Sequence, residues 1–179
     1  GLSAIESIDL FANQLSALPA EIGALQDLKV LSLSINQLTS LPREIGQLKV
    51  LQELRAGSNK LTALPAEIGS LSQLRMLALS QNRLASLPPQ IGALAALEEL
   101  WLNSNPLKSV PAEIGSLRAL RALGLTITQL TSLPVSVGSL RALHTLDLRY
   151  NELTELPPEI GKLEALEQLC LTGNGVTTL

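Results

Sequence analysis

Side chains that carry out acid–base, nucleophilic or metal chemistry are scarce in this sequence. His144 is the only histidine and Cys170 the only cysteine. His144 and Asp147 lie three residues apart, and in an extended strand an odd spacing directs two side chains to opposite faces. Cys170 has no basic neighbour in the sequence that would activate its thiol, and one histidine with one cysteine is too small a ligand set for a metal ion. We therefore predict no catalytic site, no metal and no cofactor.

The rarest side chains instead have the chemistry of recognition. Trp101, Tyr150, Phe11 and Met76 are each the only residue of their type. Aromatic rings and a flexible thioether provide large apolar contacts, and the indole N–H and the phenol O–H add a polar group at one end. Whether these residues can act together depends on the elements that position them.

Almost the whole sequence is one 23-residue pattern, repeated eight times without insertion or deletion. Its template is L-x-x-L-x-L-x-x-N-x-L-x-x-L-P-x-x-I-G-x-L-x-x. The copies begin at Ile5, Leu28, Leu51, Leu74, Leu97, Leu120, Leu143 and Leu166, and the last copy is truncated. Because the copies use almost the whole length, residues 1–179 are predicted to form a single domain.

The two halves of the template predict two kinds of element. The alternating stretch L-x-x-L-x-L is typical of a short strand with one buried face, so stacked copies would form a parallel sheet. The segment after L-P returns the chain along the other side as a short helix. Proline suits the start of a helix, and the glutamate two residues later lies in the first turn, where the helix dipole favours it. The glycine of I-G is predicted to allow close packing between neighbouring copies.

The ninth position of the template is predicted to be structural. A buried asparagine can both donate to and accept from the backbone where the strand turns away. The sixth copy has Thr128 instead, whose hydroxyl can replace only part of such a network. The other seven copies carry the predicted ladder of Asn13, Asn36, Asn59, Asn82, Asn105, Asn151 and Asn174.

The segments L-P-A-E-I-G-S-L, L-P-R-E-I-G-Q-L and L-P-P-E-I-G-K-L, joined to L-x-L-x-x-N-x-L, resemble a known family. They look like the 23-residue leucine-rich repeats of intracellular Ras-group scaffold proteins, their plant relatives and many bacterial proteins. Plant receptor ectodomains fit less well, because they usually carry G-x-I-P in place of L-P. The resemblance implies an α/β solenoid, a right-handed superhelix with a concave parallel β-sheet and convex short helices or 3-10 turns. It also implies protein binding, without a shared reaction or ligand.

The free positions of the strands predict where binding occurs. Trp101 falls between Ala78 and Gly124 in a row across the concave face, where neighbouring strands lie about 4.8 Å apart, and these small neighbours are expected to leave both sides of its ring free. An exposed tryptophan in a weakly polar centre with a charged rim is typical of a binding hot spot. The predicted partner-binding residues are Met76, Ala78, Trp101, Asn103, Gly124, Thr126, Arg55, Glu53, Asp147, Arg149, Tyr150 and Phe11.

We therefore predict a non-enzymatic module that binds a protein or peptide on its concave face. One alternative is the recognition arm of a larger signalling or effector protein whose catalytic domain lies outside this chain. Another is a structural or self-associating module, joined end to end or laterally, because no polar caps are visible at the ends. The missing caps also lead us to expect that the sequence is an excerpt of a longer array.

Composition narrows the choice of partner and compartment. The formal net charge is -3, with 13 basic and 16 acidic residues well mixed, so no basic stripe favours nucleic acid. Apolar runs are only a few residues long, which is too short to cross a membrane. A single cysteine and the lack of a glycosylation sequon favour a reducing compartment, so we expect a cytoplasmic location.

Overall fold

The computed structural model describes residues 4–178, so the predicted domain limits within 1–3 and at 179 lie outside the described residues. Eight strands form one sheet in chain order, each paired in parallel with the next. The strands are β1 Ser7–Asp9, β2 Val30–Ser32, β3 Glu53–Arg55, β4 Met76–Ala78, β5 Glu99–Trp101, β6 Ala122–Gly124, β7 Thr145–Asp147 and β8 Gln168–Cys170.

The register of the sheet follows the 23-residue period directly. Ser7 pairs with Val30, and Leu100 pairs with Leu123, which is the same repeat position one copy later. Each strand is only three residues long and covers the third to fifth positions of its repeat, so it is shorter than the six-residue stretch of the template. Backbone hydrogen bonds to the next repeat continue past the strand, for example from the Leu33 N–H to the Arg55 carbonyl and from the Ile35 N–H to the Gly57 carbonyl.

Short 3-10 helices form the other side of the solenoid. Proline immediately precedes each helix in an extended conformation, and a glutamate occupies the first turn of five of them, as predicted. The helices are Ala20–Ala24, Arg43–Gln47, Ala66–Ser70, Pro89–Ala93, Ala112–Ser116, Val135–Ser139 and Pro158–Lys162.

The glycine in each helix packs against the backbone of the next repeat. A β-carbon on Gly92, for example, would lie 2.5 Å from the Glu113 carbonyl oxygen. Only Gly161 has open space there, with no atom within 4 Å among the described residues. The predicted packing role is therefore confirmed for the inner repeats.

The core lies between the sheet and the helices and consists almost entirely of leucine. The strand leucines Leu54, Leu77 and Leu100 and the helix residues Ile68 and Ile91 are fully buried. Because each side chain packs against the repeats before and after it, the solenoid has one continuous core rather than a separate core in each copy.

The asparagines at the ninth repeat position form hydrogen bonds to the backbone. Asn82 Oδ1 accepts from the Leu61 backbone N–H at 2.9 Å, and Asn82 Nδ2 donates to the carbonyls of Ala56 and Leu79, also at 2.9 Å. Each inner asparagine thus joins its own turn to the turn of the preceding repeat. Asn13 is exposed and, among residues 4–178, bonds only the carbonyls of Leu10 and Phe11 in its own repeat.

Thr128 interrupts this ladder, as predicted from its single hydroxyl. Its Oγ1 lies 2.8 Å from the Leu125 carbonyl and 2.9 Å from Asn151 Oδ1. The Leu107 backbone N–H, which elsewhere would bond to the next asparagine, bonds to the Asn105 carbonyl instead. A surface cavity of about 410 Å³ borders this irregular loop, lined by Lys108, Gln129, Thr131 and Glu152.

Candidate functional site

The solvent-facing side of the sheet, which we call the concave face, carries the side chains of the third, fifth and seventh repeat positions. The strand pairing places Met76 opposite Glu99, and Trp101 between Ala78 and Gly124. The predicted residues Met76, Ala78, Trp101 and Gly124 therefore lie together on three adjacent strands.

The Trp101 ring is held in a defined position. Its Nε1 donates to Glu99 Oε2 at 2.9 Å, two residues earlier on the same strand. The ring lies over Gly124, since a β-carbon there would come within 2.5 Å of Cε3 and 3.0 Å of Cζ3. Trp101 is consequently half-buried, and the expectation that its ring is free on both sides is wrong on the side of Gly124.

Gly124 has a different place from the one expected. It is buried under the indole ring and does not present its own surface to solvent. On the other side of Trp101, Met76 and Ala78 are half-buried and partly accessible. Gly124 therefore shapes the site by accommodating the ring, whereas Met76 and Ala78 border the ring from the open side.

Asn103 and Thr126 lie two residues beyond the ends of strands β5 and β6 and are joined by a hydrogen bond. Asn103 Oδ1 accepts from the Thr126 backbone N–H at 2.9 Å. Both residues are half-buried. Because Asn103 Oδ1 already accepts this hydrogen bond, the side-chain NH₂ group of Asn103 is the part best suited to donate to a partner.

The charged rim consists of two ion pairs, each formed within one repeat. Arg55 Nη2 donates to Glu53 Oε2 at 2.5 Å. Arg149 binds Asp147 with two bonds, from Nε to Oδ1 at 2.9 Å and from Nη2 to Oδ2 at 2.6 Å. Both arginines of the predicted site are therefore neutralised by an acid two residues earlier in the chain.

These contacts shift the acid–base equilibria of the rim. The hydrogen bonds from the Arg149 side chain hold the pKa of Asp147 below its ordinary value, and the same bonds raise the pKa of Arg149. At the first strand, the backbone N–H of Phe11 and then the Ser32 hydroxyl lower the pKa of Asp9. All three groups therefore keep their charges over the ordinary pH range.

Tyr150 and Phe11 lie beside the sheet rather than within it. Both side chains are exposed, by 57% and 54% respectively. Tyr150 occupies the eighth repeat position, where the backbone adopts a left-handed conformation with φ near 56°. The Tyr150 ring covers Gly173, whose β-carbon would lie 2.5 Å from Cδ1. Phe11 lies at the first strand, four strands away from Trp101.

Two features of this face were not predicted from the sequence. Glu99, which positions the indole, was not among the predicted site residues, although its two-residue spacing from Trp101 indicates that both side chains share a face. The left-handed eighth position was also missed, and it exposes the branched side chains of Ile35 and Ile127 by 48% and 53%.

The residues considered for catalysis and metal binding do not converge. His144 Nδ1 lies 2.7 Å from the Ala142 carbonyl, and Cys170 is a free, half-buried thiol. Within residues 4–178, no group of three or more histidine, cysteine, aspartate or glutamate side chains could hold a metal ion. In the same range, no helix is long and apolar enough to cross a membrane.

The fold and this face define a repeat solenoid. Its family follows from two family models that match the sequence. The leucine rich repeat model matches residues 3–61, 49–107 and 72–130, and the leucine-rich repeat region model matches residues 108–178. The chain belongs to the leucine-rich repeat family. Members of this family commonly serve as protein-interaction modules and are typically not enzymes.

Similar solved structures come from bacteria and plants. A leucine-rich repeat protein of Leptospira interrogans is 45% identical with a TM-score of 0.90, over 93% of this chain and 43% of that one. An internalin of Listeria monocytogenes is 26% identical with a TM-score of 0.79, over 93% of this chain and 47% of that one. The present chain thus spans less than half the length of these proteins. A search of curated proteins found no match.

A plant neighbour was solved with a peptide bound. The Arabidopsis receptor kinase HAESA, in complex with the peptide hormone IDA and the co-receptor SERK1, is 31% identical with a TM-score of 0.84. The alignment covers 94% of the present chain and 30% of the receptor.

Proposed function

We propose that this chain is a non-enzymatic recognition module that binds an extended protein or peptide segment along its concave face. The observation that carries the proposal is the half-buried Trp101, which Glu99 and Gly124 hold in place and whose neighbour on the other side is the small Ala78. A ring that is already ordered loses little conformational entropy on binding, and such rings dominate many interfaces.

The surroundings of Trp101 support the same proposal. The surface next to the ring is partly apolar and is formed by Met76, Ala78 and Ala122. The two arginine–acid pairs form a polar rim on either side of it. Apolar centres with polar rims are the usual anatomy of protein interfaces. The peptide complex of the HAESA receptor supports a peptide ligand for a solenoid of this kind.

The test is selection of peptides from a random displayed library on the purified chain, followed by affinity measurement on variants. Trp101→Ala should weaken the binding of the selected peptides at least about tenfold, which corresponds to a loss of roughly 1.4 kcal/mol in binding free energy. The control is Val135→Ala, which removes an apolar side chain exposed by 65% at the first position of a 3-10 helix, outside the sheet. Equal loss in both variants, or none in Trp101→Ala, would rule out the concave site.

A second proposal concerns the protein in which the module works. The chain corresponds to less than half of each solved protein reported above. This relation favours a recognition arm within a larger protein, in which another domain performs any catalytic step. Sequencing the complete transcript tests it, and an open reading frame that ends without any further domain would oppose it.

A further inference from the structure

The charges of the concave face are unbalanced around Trp101. The third, fifth and seventh repeat positions carry four acids, Asp9, Glu53, Glu99 and Asp147, but only two bases, Arg55 and Arg149. Both arginines are already bound to acids, as described above. The face therefore attracts positively charged groups, and its unneutralised charge includes the central acid, Glu99.

Glu99 has no cationic partner among the described residues. The arginines that immediately precede the neighbouring strands, Arg75 and Arg121, both lie near Glu98 instead, at 3.4 Å and 3.8 Å. The bond from Trp101 uses only Oε2 of Glu99. The second carboxylate oxygen, Oε1, accepts no hydrogen bond within residues 4–178 and remains available to a partner.

The indole ring adds a second attraction at the same place. One side of the ring is covered by Gly124, while the opposite neighbour in the row is Ala78, whose side chain is a single methyl group. A cation above an indole face is attracted by the ring electrons, and the effect grows when water is excluded. The thioether of Met76, opposite Glu99, suits the aliphatic stem of a long side chain.

We propose that Glu99 and Trp101 together bind an arginine or lysine side chain of the partner. This inference rests on the proposed function and specifies the chemistry of its ligand. The cation packs on the open side of the indole and donates a hydrogen bond to Glu99 Oε1. The bond from Trp101 to Glu99 keeps both groups in place before the partner arrives.

The same geometry disfavours other partner residues. A purely apolar side chain over this site would remove water from Glu99 without replacing its hydrogen bonds, which is costly for a charged group. An acidic side chain would be repelled by Glu99 directly. Specificity thus comes from rejection as well as attraction.

The test uses the displayed library and compares peptides that depend on Trp101. We expect the selected sequences to share a basic residue. A selected arginine peptide should bind at least about tenfold more tightly than its citrulline counterpart, which keeps the shape of arginine and removes the charge. Because Trp101 is the only tryptophan, its fluorescence reports directly on occupation of this site.

Glu99→Gln is the decisive variant, since glutamine can still accept the indole hydrogen bond but carries no charge. It should lower the affinity for the arginine peptide about tenfold. The affinity for the citrulline peptide should stay within about threefold of that of the native chain. The control is Glu113→Gln in the same repeat, which makes the same charge change on a 3-10 helix and should have no effect. Selected peptides that require Trp101 but lack a basic residue would overturn the inference alone. If none of the selected peptides depends on Trp101 for binding, the proposed function itself is wrong.

Discussion

The indole ring of Trp101 lies directly over Gly124, the residue opposite it on the next strand. A β-carbon at position 124 would meet Cε3 of the ring at 2.5 Å and Oδ1 of Asn103 at 2.9 Å. The absence of a side chain at Gly124 therefore leaves the space that the ring occupies.

Gly124→Ala should displace the indole without unfolding the solenoid. The added methyl group forces the ring away from Gly124 and breaks its hydrogen bond to Glu99, so the free energy of unfolding should fall by about 1–3 kcal/mol. The displaced ring is more hydrated, and its fluorescence maximum should move to longer wavelength. Spectra and denaturant melts measure both effects. An unchanged emission spectrum would contradict the described packing, and Gly161→Ala serves as the control.

The fold could be predicted from the sequence because the period has no interruption. Leucine at fixed positions over eight copies defines which face of each segment is buried, and equal spacing fixes the register of every strand pair. The length of the strands could not be predicted in the same way. Apolar alternation and backbone bonds to the next repeat both continue beyond Asp9, as in the bond from the Leu10 N–H to the Ser32 carbonyl at 2.8 Å, yet the strand itself ends at Asp9.

The details of the site were less predictable, and the eighth repeat position shows why. Gly173 is the only glycine in this column, yet Ile35 and Ile127 adopt the same left-handed backbone, which is rare for branched residues. The Ile35 N–H bonds to the Gly57 carbonyl, and the Ile127 N–H bonds to the Arg149 carbonyl. Contacts between repeats therefore impose this conformation against local preference. The bond between Trp101 and Glu99 likewise depends on side-chain conformations that a single sequence does not specify.

Asn82→Ala should be strongly destabilising. It removes three hydrogen bonds and leaves the Leu61 N–H without a partner inside the solenoid, while the carbonyls of Ala56 and Leu79 each keep one bond, from Asn59 and Asn105. The unsatisfied Leu61 N–H costs about 1–3 kcal/mol and each of the two other lost bonds about 0.5–1.5 kcal/mol, so we expect a total loss of roughly 2–4 kcal/mol in denaturant melts. Asn13→Ala is the matched control, because Asn13 is exposed, and it should cost less than about 1 kcal/mol. Similar losses at both positions would mean that the ladder has no special role.

Gly92→Ala and Gly161→Ala test the packing between repeats at one template position. The β-carbon at position 92 would lie 2.5 Å from a backbone oxygen of the next repeat, which cannot rotate away, whereas position 161 is open. We expect Gly92→Ala to lower the free energy of unfolding by about 1–3 kcal/mol. Gly161→Ala should be neutral or stabilise slightly, because alanine restricts the unfolded chain. Thermal or chemical melts of the two variants decide the matter, and equal effects would contradict the close approach.

Asp147 should make a pH-dependent contribution to stability through its two bonds to Arg149. Arg149 lowers the pKa of Asp147 in the folded state below the ordinary value of 3.8, so the proton binds the unfolded chain more readily. The resulting stabilisation is fully present above the unfolded pKa and is lost as the pH falls through the lower folded pKa. Because the Arg149 side chain is 47% exposed and solvent screens the pair, the stabilisation should not exceed about 1 kcal/mol. The measurement is the difference in unfolding free energy between the native chain and Asp147→Asn. It should be constant near neutral pH and shrink towards zero in acid, where Asp147 becomes protonated and uncharged like asparagine. High salt should reduce the difference at neutral pH, whereas a difference that grows in acid would show that Arg149 does not stabilise the charged form of Asp147.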